Sequence, residues 1–252
     1  MRALVLGGGG VAGIAWEVGI LYGLGDAVLD VDVIVGTSAG SAVAATVTQI
    51  SLAEAYERQI TPAPPSANGP RPAPQLGKLM ELFGETYSLP EQEAVRKMAD
   101  FSLAAETMPE ETFQRVIGSG LPSGQWPDRN ISVVAYDTGS GERTVFTRES
   151  GVDLVPAVAA SCSVPGVFPP ITINGRRYMD GGIRMSNNAD LVAHCDEILI
   201  IAPLTELSPP PNAKVISPDQ DAIAAMGANV LDPASRIPSA EAGLRQGRAM
   251  TV

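Results

Sequence analysis

Two glycine-rich turns within the first forty residues constrain the fold of this chain more than any other feature. The apolar run 4–6 leads into residues 7–13, with the sequence GGGGVAG, and the run 33–35 leads into residues 36–40, with the sequence GTSAG. Each pattern predicts a buried strand, a tight turn and the start of a helix. Alternation of strands and helices predicts an α/β fold with a mainly parallel sheet covered on both sides.

Apolar patterns along the chain predict the individual elements. Buried parallel strands are predicted at 2–6, 32–36, 131–136 and 197–202. Short strands are predicted at 143–148, 171–173 and 176–179, the last two joined by the hairpin signal Asn174-Gly175. Helices are predicted at 13–26 and 39–57.

We expect one main domain at 1–205 with a helical insert at about 61–118. The Pro- and Ala-rich stretch 61–76 predicts an exposed loop, and 76–118 is predicted to be helical. The insert is either a cap over a substrate cleft or a plain helical layer, and the sequence favours neither.

Residues 206–252 are expected to form a C-terminal extension that packs on the same domain. Its Pro-rich part, 206–220, is predicted to be irregular, and 221–252 is predicted to be a loosely packed helical tail.

Composition and charge exclude several classes of partner. The 252 residues carry a formal net charge of -11, whereas nucleic acid and anionic lipid both require clustered Lys and Arg. Apolar docking on a lipid surface, as a transient contact, stays open. No signal peptide is visible in the sequence, and no apolar run reaches the roughly 20 residues that cross a bilayer. The two cysteines are too few to suggest a disulfide framework. We therefore expect a cytoplasmic protein with reduced thiols, and the oligomeric state stays open.

Ser38 is the leading candidate for a nucleophile. It lies in a G-x-S-x-G turn between Gly36 and Gly40, directly after a predicted strand, where a sharp elbow exposes the hydroxyl and aims a helix N-terminus at the reacting centre. The preceding glycine loop could bind an oxyanion through its backbone amides. Two other readings are an ordinary glycine-rich turn and a dinucleotide fingerprint, Gly8-x-Gly10-x-x-Gly13, with Asp30 or Asp32 as the ribose ligand. The dinucleotide reading leaves Ser38 and Asp180 unexplained.

A serine nucleophile needs a base, and the chain has a single histidine, His194. His194 precedes a predicted strand whereas Ser38 follows one, which places them at opposite edges of a parallel sheet. Asp180, in the turn Asp180-Gly181-Gly182, is the better candidate. Partial desolvation would raise its pKa from about 3.9, and a hydrogen bond to Ser38 would position it.

Four segments together resemble the patatin-like phospholipase family. They are the glycine loop 8–13, the serine elbow 36–40, the stretch ASCSVPGVFPP at 160–170 and the turn Asp180-Gly181-Gly182. The resemblance implies a three-layer α/β/α fold and lipid acyl hydrolase activity on phospholipids or other acyl esters. It further implies a dyad of Ser38 as nucleophile and Asp180 as base, with the amides of Gly9 and Gly10 as the oxyanion hole. Neither a metal nor a cofactor is implied.

The chain departs from the family pattern at Ala12, where an Arg or Lys is common before the last glycine of the loop. The change argues against a strong preference for phospholipids and favours neutral esters, unless Arg184 substitutes for the missing cation. It also motivates the alternative of a non-catalytic binding or regulatory module with the same fold. We expect Trp16 to pack in the core and Cys162 to be a small buried residue. The sequence assigns no role to Glu17.

Overall fold

The computed structural model describes residues 1–62, 76–204, 206 and 208–250. The loop predicted at 61–76 lies almost entirely outside these residues. The described strands are β1 (Arg2–Leu6), β2 (Val33–Thr37), β3 (Ile131–Asp137), β4 (Arg143–Phe146), β5 (Ile171–Ile173), β6 (Arg176–Asp180), β7 (Glu197–Ile201) and β8 (Ala213–Ile216). The described helices are α1 (Gly10–Leu24), α2 (Ala39–Val47), α3 (Leu52–Ile60), α4 (Leu76–Thr86), α5 (Glu91–Ala104), α6 (Glu110–Gly120), α7 (Leu154–Ser161), α8 (Gln220–Met226) and α9 (Arg236–Arg248).

The strands form one eight-stranded sheet in the order β5-β6-β3-β2-β1-β7-β8, with β4 also paired to β3. The pairs β1–β2, β2–β3, β1–β7 and β7–β8 are parallel. The pairs β3–β4, β3–β6 and β5–β6 are antiparallel. The register sets Leu6 opposite Gly36, so the turns after β1 and β2 leave the sheet side by side. The predicted, mostly parallel α/β sheet is confirmed.

Side chains of β1 alternate between two cores. Leu4 and Leu6 pack with residues of α1, α2, α3, α7 and α9, whereas Ala3 and Val5 pack on the opposite face with the short 3-10 helix Ala189–Val192. Further along that second face, α4 and α5 pack over Tyr136 of β3. Both faces of the sheet are therefore covered, which gives the molecule three layers and agrees with the apolar runs 3–6 of β1 and 33–35 of β2.

The C-terminal helix α9 packs against α1 with almost no side chains between them. A Cβ added to Gly23 would lie 2.8 Å from the carbonyl oxygen of Leu244, and one added to Gly243 would overlap the carbonyl oxygen of Trp16. Trp16 is fully buried, and its indole N–H donates to Gln246 at 3.1 Å. The prediction of a loosely packed tail is therefore wrong for α9, because small residues on both helices allow their backbones to approach closely.

Two other predicted elements differ from the structure. The single helix predicted at 39–57 is two helices, and the second begins where the Ser51 hydroxyl accepts the N–H of Glu54 at 3.1 Å, a helix N-cap. The hydroxyl of Thr48 bonds back to the carbonyl of Ala44 at 2.6 Å at the end of the first helix, where such bonds compete with the helical pattern. The stretch 206–220, predicted to be irregular, contains β8, a short strand that pairs with β7.

The predicted helical insert contains α4, α5 and α6. Pro90 is the N-cap residue of α5 and Pro109 is the N-cap residue of α6, so the two prolines separate the three helices. None of the helices in the described ranges combines the length and the apolar character that crossing a bilayer requires.

The contact between α1 and α9 predicts that Gly243→Ala destabilises the fold. The added methyl group would overlap backbone atoms of α1, and overpacking of this kind costs about 1–3 kcal/mol in the free energy of unfolding. Urea unfolding followed by circular dichroism measures this change. The matched control is Gly84→Ala in α4, where an added Cβ meets nothing within 4 Å and the better helix propensity of alanine stabilises by up to about 1 kcal/mol. Equal stabilities for the two variants would contradict close packing of α1 on α9.

Candidate active site

Ser38 lies in a strained turn between β2 and α2. Its φ is 52° and its ψ is -120°, a conformation that costs a non-glycine residue about 1–3 kcal/mol and clusters at functional sites. The turn is held by close backbone contacts: the N–H of Gly40 donates to the carbonyl of Gly7 at 2.8 Å, and a Cβ on Gly40 would overlap the carbonyl oxygen of Leu6. The Ser38 N–H donates to Ser161 Oγ at 2.9 Å.

Asp180 at the end of β6 contacts the Ser38 hydroxyl directly. Ser38 Oγ donates to Asp180 Oδ2 at 2.6 Å, and the N–H of Gly182 donates to Oδ1 at 2.7 Å. Both side chains are buried, with 7% of Ser38 and 5% of Asp180 exposed. Ser38 and Asp180, far apart in the chain, therefore lie in hydrogen-bond contact, as the sequence predicts.

Burial raises the pKa of Asp180 to about 6, against the opposing effect of the hydrogen bonds from Ser38 and Gly182, which lower it. A carboxyl group with this pKa is mostly ionised at neutral pH and is a far better base than an exposed aspartate. The environment therefore gives Asp180 the acid–base property that general-base chemistry needs.

The glycine loop presents unpaired amides to the same cavity. Gly8, Gly9 and Gly10 line it together with Ser38 and Asp180. Their N–H groups donate no hydrogen bond to any residue that the structure describes. Gly9 and Gly10 form the beginning of α1, where free N–H groups and the helix dipole favour a negative charge. The loop can thus bind an oxyanion beside Ser38.

The Glu17 side chain supports the glycine loop through a hydrogen bond with Gly7, a contact that the sequence did not predict. The fully buried Oε1 accepts the N–H of Gly7 at 2.8 Å, and Oε2 has no hydrogen-bond partner within the described residues. Burial raises the pKa of the Glu17 carboxyl well above its usual range, against the opposing effect of the hydrogen bond from Gly7. An acid inside the apolar helix α1 was the only signal in the sequence.

The remaining glycines of the predicted motifs serve close packing. A Cβ on Gly36 would lie 2.6 Å from Ser41 Cα, one on Gly13 would lie 3.2 Å from Pro203, and one on Gly181 would overlap the carbonyl oxygen of Val134. The absence of a side chain at these positions therefore lets the turns approach each other closely.

Asn188 joins the turn after β6 to the end of β2. Its side-chain amide donates to the carbonyl of Gly181 at 3.1 Å and to the Thr37 hydroxyl at 2.9 Å. Asn188 and Ser161 thus support the site from outside either glycine motif. Ser161 belongs to the stretch 160–170 that carries the family resemblance, whereas the sequence gives no sign of a role for Asn188.

Other residues that the sequence singled out lie outside the Ser38–Asp180 contact. His194 is exposed and precedes β7, at the edge opposite to Ser38. Arg184 donates to the carbonyl of Thr86 at 3.3 Å and lines neither cavity at Ser38, so it does not replace the cation missing at position 12. Cys162 is buried, its Sγ donates to the Ser38 carbonyl at 3.2 Å, and burial raises the pKa of its thiol to about 12.

Within the described part of the chain, three or more His, Cys, Asp or Glu side chains nowhere gather into a group that could hold a metal ion. A serine in a tight strand-to-helix turn, a carboxylate in contact with its hydroxyl and a row of unpaired amides thus lie together at one edge of the mostly parallel sheet.

Comparison with known proteins gives the family. A family model described as patatin-like phospholipase matches residues 4–193, which is most of the chain, and the chain belongs to the patatin-like phospholipase family.

Two solved structures are similar at low sequence identity. VipD from Legionella pneumophila is 12% identical with a TM-score of 0.49, and the match covers 98% of this chain and 66% of that chain. The type III effector protein ExoU is 17% identical with a TM-score of 0.36, and the match covers 98% of this chain and 53% of that chain. The chain thus spans between about half and two thirds of these two proteins.

The raised pKa of Asp180 predicts that Asp180→Asn stabilises the fold at neutral pH. A folded-state pKa of about 6, against 3.8 for the unfolded chain, means that the stabilising contribution of Asp180 is fully present below about pH 4 and is lost as the pH rises through about 6. The asparagine variant should therefore exceed the wild type by about 2–3 kcal/mol in free energy of unfolding at pH 7.5, and by much less at pH 4.

Urea unfolding at both pH values measures this difference. The matched control is Asp100→Asn, at an exposed position of α5, where we expect a change within about 0.5 kcal/mol at either pH. A difference between wild type and Asp180→Asn that does not vary with pH would contradict the raised pKa.

Proposed function

We propose that this chain is a serine acyl hydrolase that cleaves acyl esters of lipids through a Ser38–Asp180 dyad and an acyl-serine intermediate. Membership in the patatin-like phospholipase family supports lipid acyl hydrolase activity. The observation that carries the proposed dyad is the 2.6 Å hydrogen bond from Ser38 Oγ to Asp180 Oδ2 in a buried site.

In the first half-reaction, Asp180 Oδ2 accepts the hydroxyl proton as Ser38 Oγ attacks the ester carbonyl carbon. The negative charge moves to the former carbonyl oxygen, which the amides of Gly9 and Gly10 bind. Collapse of this tetrahedral intermediate breaks the bond to the alcohol oxygen, and Asp180 returns its proton to that oxygen. The alcohol leaves, and the acyl group stays on Ser38.

In the second half-reaction, a water molecule attacks the acyl-serine while Asp180 accepts one of its protons. The new tetrahedral intermediate releases the carboxylic acid, and Ser38 Oγ regains the proton from Asp180. One aspartate therefore acts as both base and acid, for which a pKa of about 6 is well suited because both forms are accessible near neutral pH. Each oxyanion donor of this kind contributes about 2.7–4 kcal/mol to catalysis.

The exposed apolar side chains support transient contact with a lipid surface. Met80 and Leu204 line one cavity at Ser38 and Met108 and Val116 line the other, with between 38% and 59% of each side chain exposed. The net charge of -11 favours neutral or zwitterionic lipid over anionic lipid. The cytoplasmic location predicted from the sequence stays a prediction.

The dyad predicts that Ser38→Ala and Asp180→Asn each lower kcat/KM for p-nitrophenyl butyrate by at least about 10³-fold, because either change removes the nucleophile or its base. A release assay on purified protein measures this, with circular dichroism to establish folding. The control is His194→Ala, which we expect to retain activity. Activity retained in both dyad variants would contradict the proposal, and an inactive wild type across a panel of lipid esters would favour the non-catalytic module.

The pKa of Asp180 predicts an acidic limb in the pH profile. Since the base must be ionised, kcat/KM of the wild type should fall about tenfold per pH unit below about 6 and level off above it. Rates between pH 4.5 and 8 with p-nitrophenyl butyrate test this. A flat profile throughout this range would contradict Asp180 as the base.

A further inference from the structure

Ser38 lies where two apolar cavities meet. The first, here called the α4 chamber, has a volume of about 320 Å³ and is walled by side chains of α4, among them Leu79, Met80 and Phe83. The second, here called the α6 chamber, has a volume of about 620 Å³ and is walled by α1, α2 and α6, with Ile117 on α6 among its lining residues. A single nucleophile therefore has apolar space on two sides.

The wall between the two chambers is shared. Gly10, Ser38, Val164 and Leu231 line both. Leu231 lies beyond residues 4–193, and a Cβ added to Gly10 would lie 2.8 Å from Leu231 Cδ2. The C-terminal segment therefore helps to divide the site.

The catalytic groups are distributed unequally between the chambers. Asp180 lines the α4 chamber and is absent from the lining of the α6 chamber. In the proposed mechanism Asp180 must reach the leaving alcohol oxygen to return a proton to it. The alcohol portion of the ester must consequently lie on the Asp180 side of Ser38, and the acyl chain, which leaves the carbonyl carbon in another direction, must lie on the other side.

We propose that the α6 chamber holds the acyl chain and the α4 chamber holds the leaving alcohol, an assignment that rests on the proposed function. The substrate is then an ester with an apolar group on both sides of its carbonyl. The charge of the chambers fits this class, because the only charged side chain among the described lining of the α4 chamber is Asp180 itself. An anionic head group would meet no cation there.

The cations of the α6 chamber are engaged elsewhere. The Arg236 guanidinium donates to the carbonyls of Arg58 and Thr61 at 2.6 Å each, and Arg58 pairs with Glu54 at 3.0 Å. Apart from this rim the chamber is lined mainly by aliphatic and aromatic side chains, which suits a long hydrocarbon chain.

The test blocks one chamber at a time and varies one side of the ester at a time. Ile117→Trp narrows the α6 chamber and Met80→Trp narrows the α4 chamber, and Ile223→Trp, at an exposed position of α8 that lines neither chamber, is the matched control. The acyl series compares p-nitrophenyl palmitate with p-nitrophenyl butyrate. The alcohol series compares dodecyl butyrate with ethyl butyrate, followed by acid release.

We expect Ile117→Trp to lower the palmitate-to-butyrate ratio of kcat/KM at least tenfold and to change the dodecyl-to-ethyl ratio less than threefold. Met80→Trp should give the reverse pattern, and Ile223→Trp should change neither ratio. Ile117→Phe, a smaller enlargement, repeats the measurement if the tryptophan variant does not fold.

Two kinds of result would overturn the assignment. If the wild type cleaves the esters of both series but the two chamber variants exchange their patterns or leave both ratios unchanged, the assignment fails and the proposed function stands. If the wild type cleaves none of the four esters, the proposed function fails and the assignment fails with it.

Discussion

The close approach of two backbone turns at the carboxyl edge of the sheet underlies the whole site. The N–H of Gly40 donates to the carbonyl of Gly7 at 2.8 Å, and a side chain at position 40 would overlap the carbonyl oxygen of Leu6 at the end of β1. Parallel pairing of β1 with β2 sets the two turns side by side, and the contact then fixes Ser38 at positive φ beside the amides of the glycine loop. The backbone thus holds Ser38 beside the amides of the glycine loop.

Two buried carboxyl groups act on this arrangement in different ways. Glu17 is fully buried, its pKa is raised by that burial, and its side chain supports the loop through Gly7. Asp180 is buried next to Ser38, and its pKa of about 6 leaves it largely ionised at neutral pH. Burying both acids costs stability, because charged and unpaired groups lose their hydration. The helix that begins with the glycine loop, α1, also packs closely against α9.

Local sequence patterns were sufficient for every described strand except β8 and for the contact at the centre of the site. The apolar runs predicted β1 and β3 to within a residue, and the elbow and the turn at Asp180 predicted which side chains meet. Contacts between distant segments were not predictable in this way. Ser161, Asn188 and Leu231 act through tertiary neighbours that no local period encodes, and the packing of α9 depends on glycines whose partners lie in α1.

The most direct test of the account is covalent trapping with a short alkyl fluorophosphonate, followed by intact-mass measurement and peptide mapping. The account predicts one adduct per chain, carried by Ser38, and a labelling rate at least about 100-fold lower in Asp180→Asn, because the aspartate must accept the hydroxyl proton. An unlabelled wild type, an adduct on another residue, or equal rates in wild type and Asp180→Asn would contradict it.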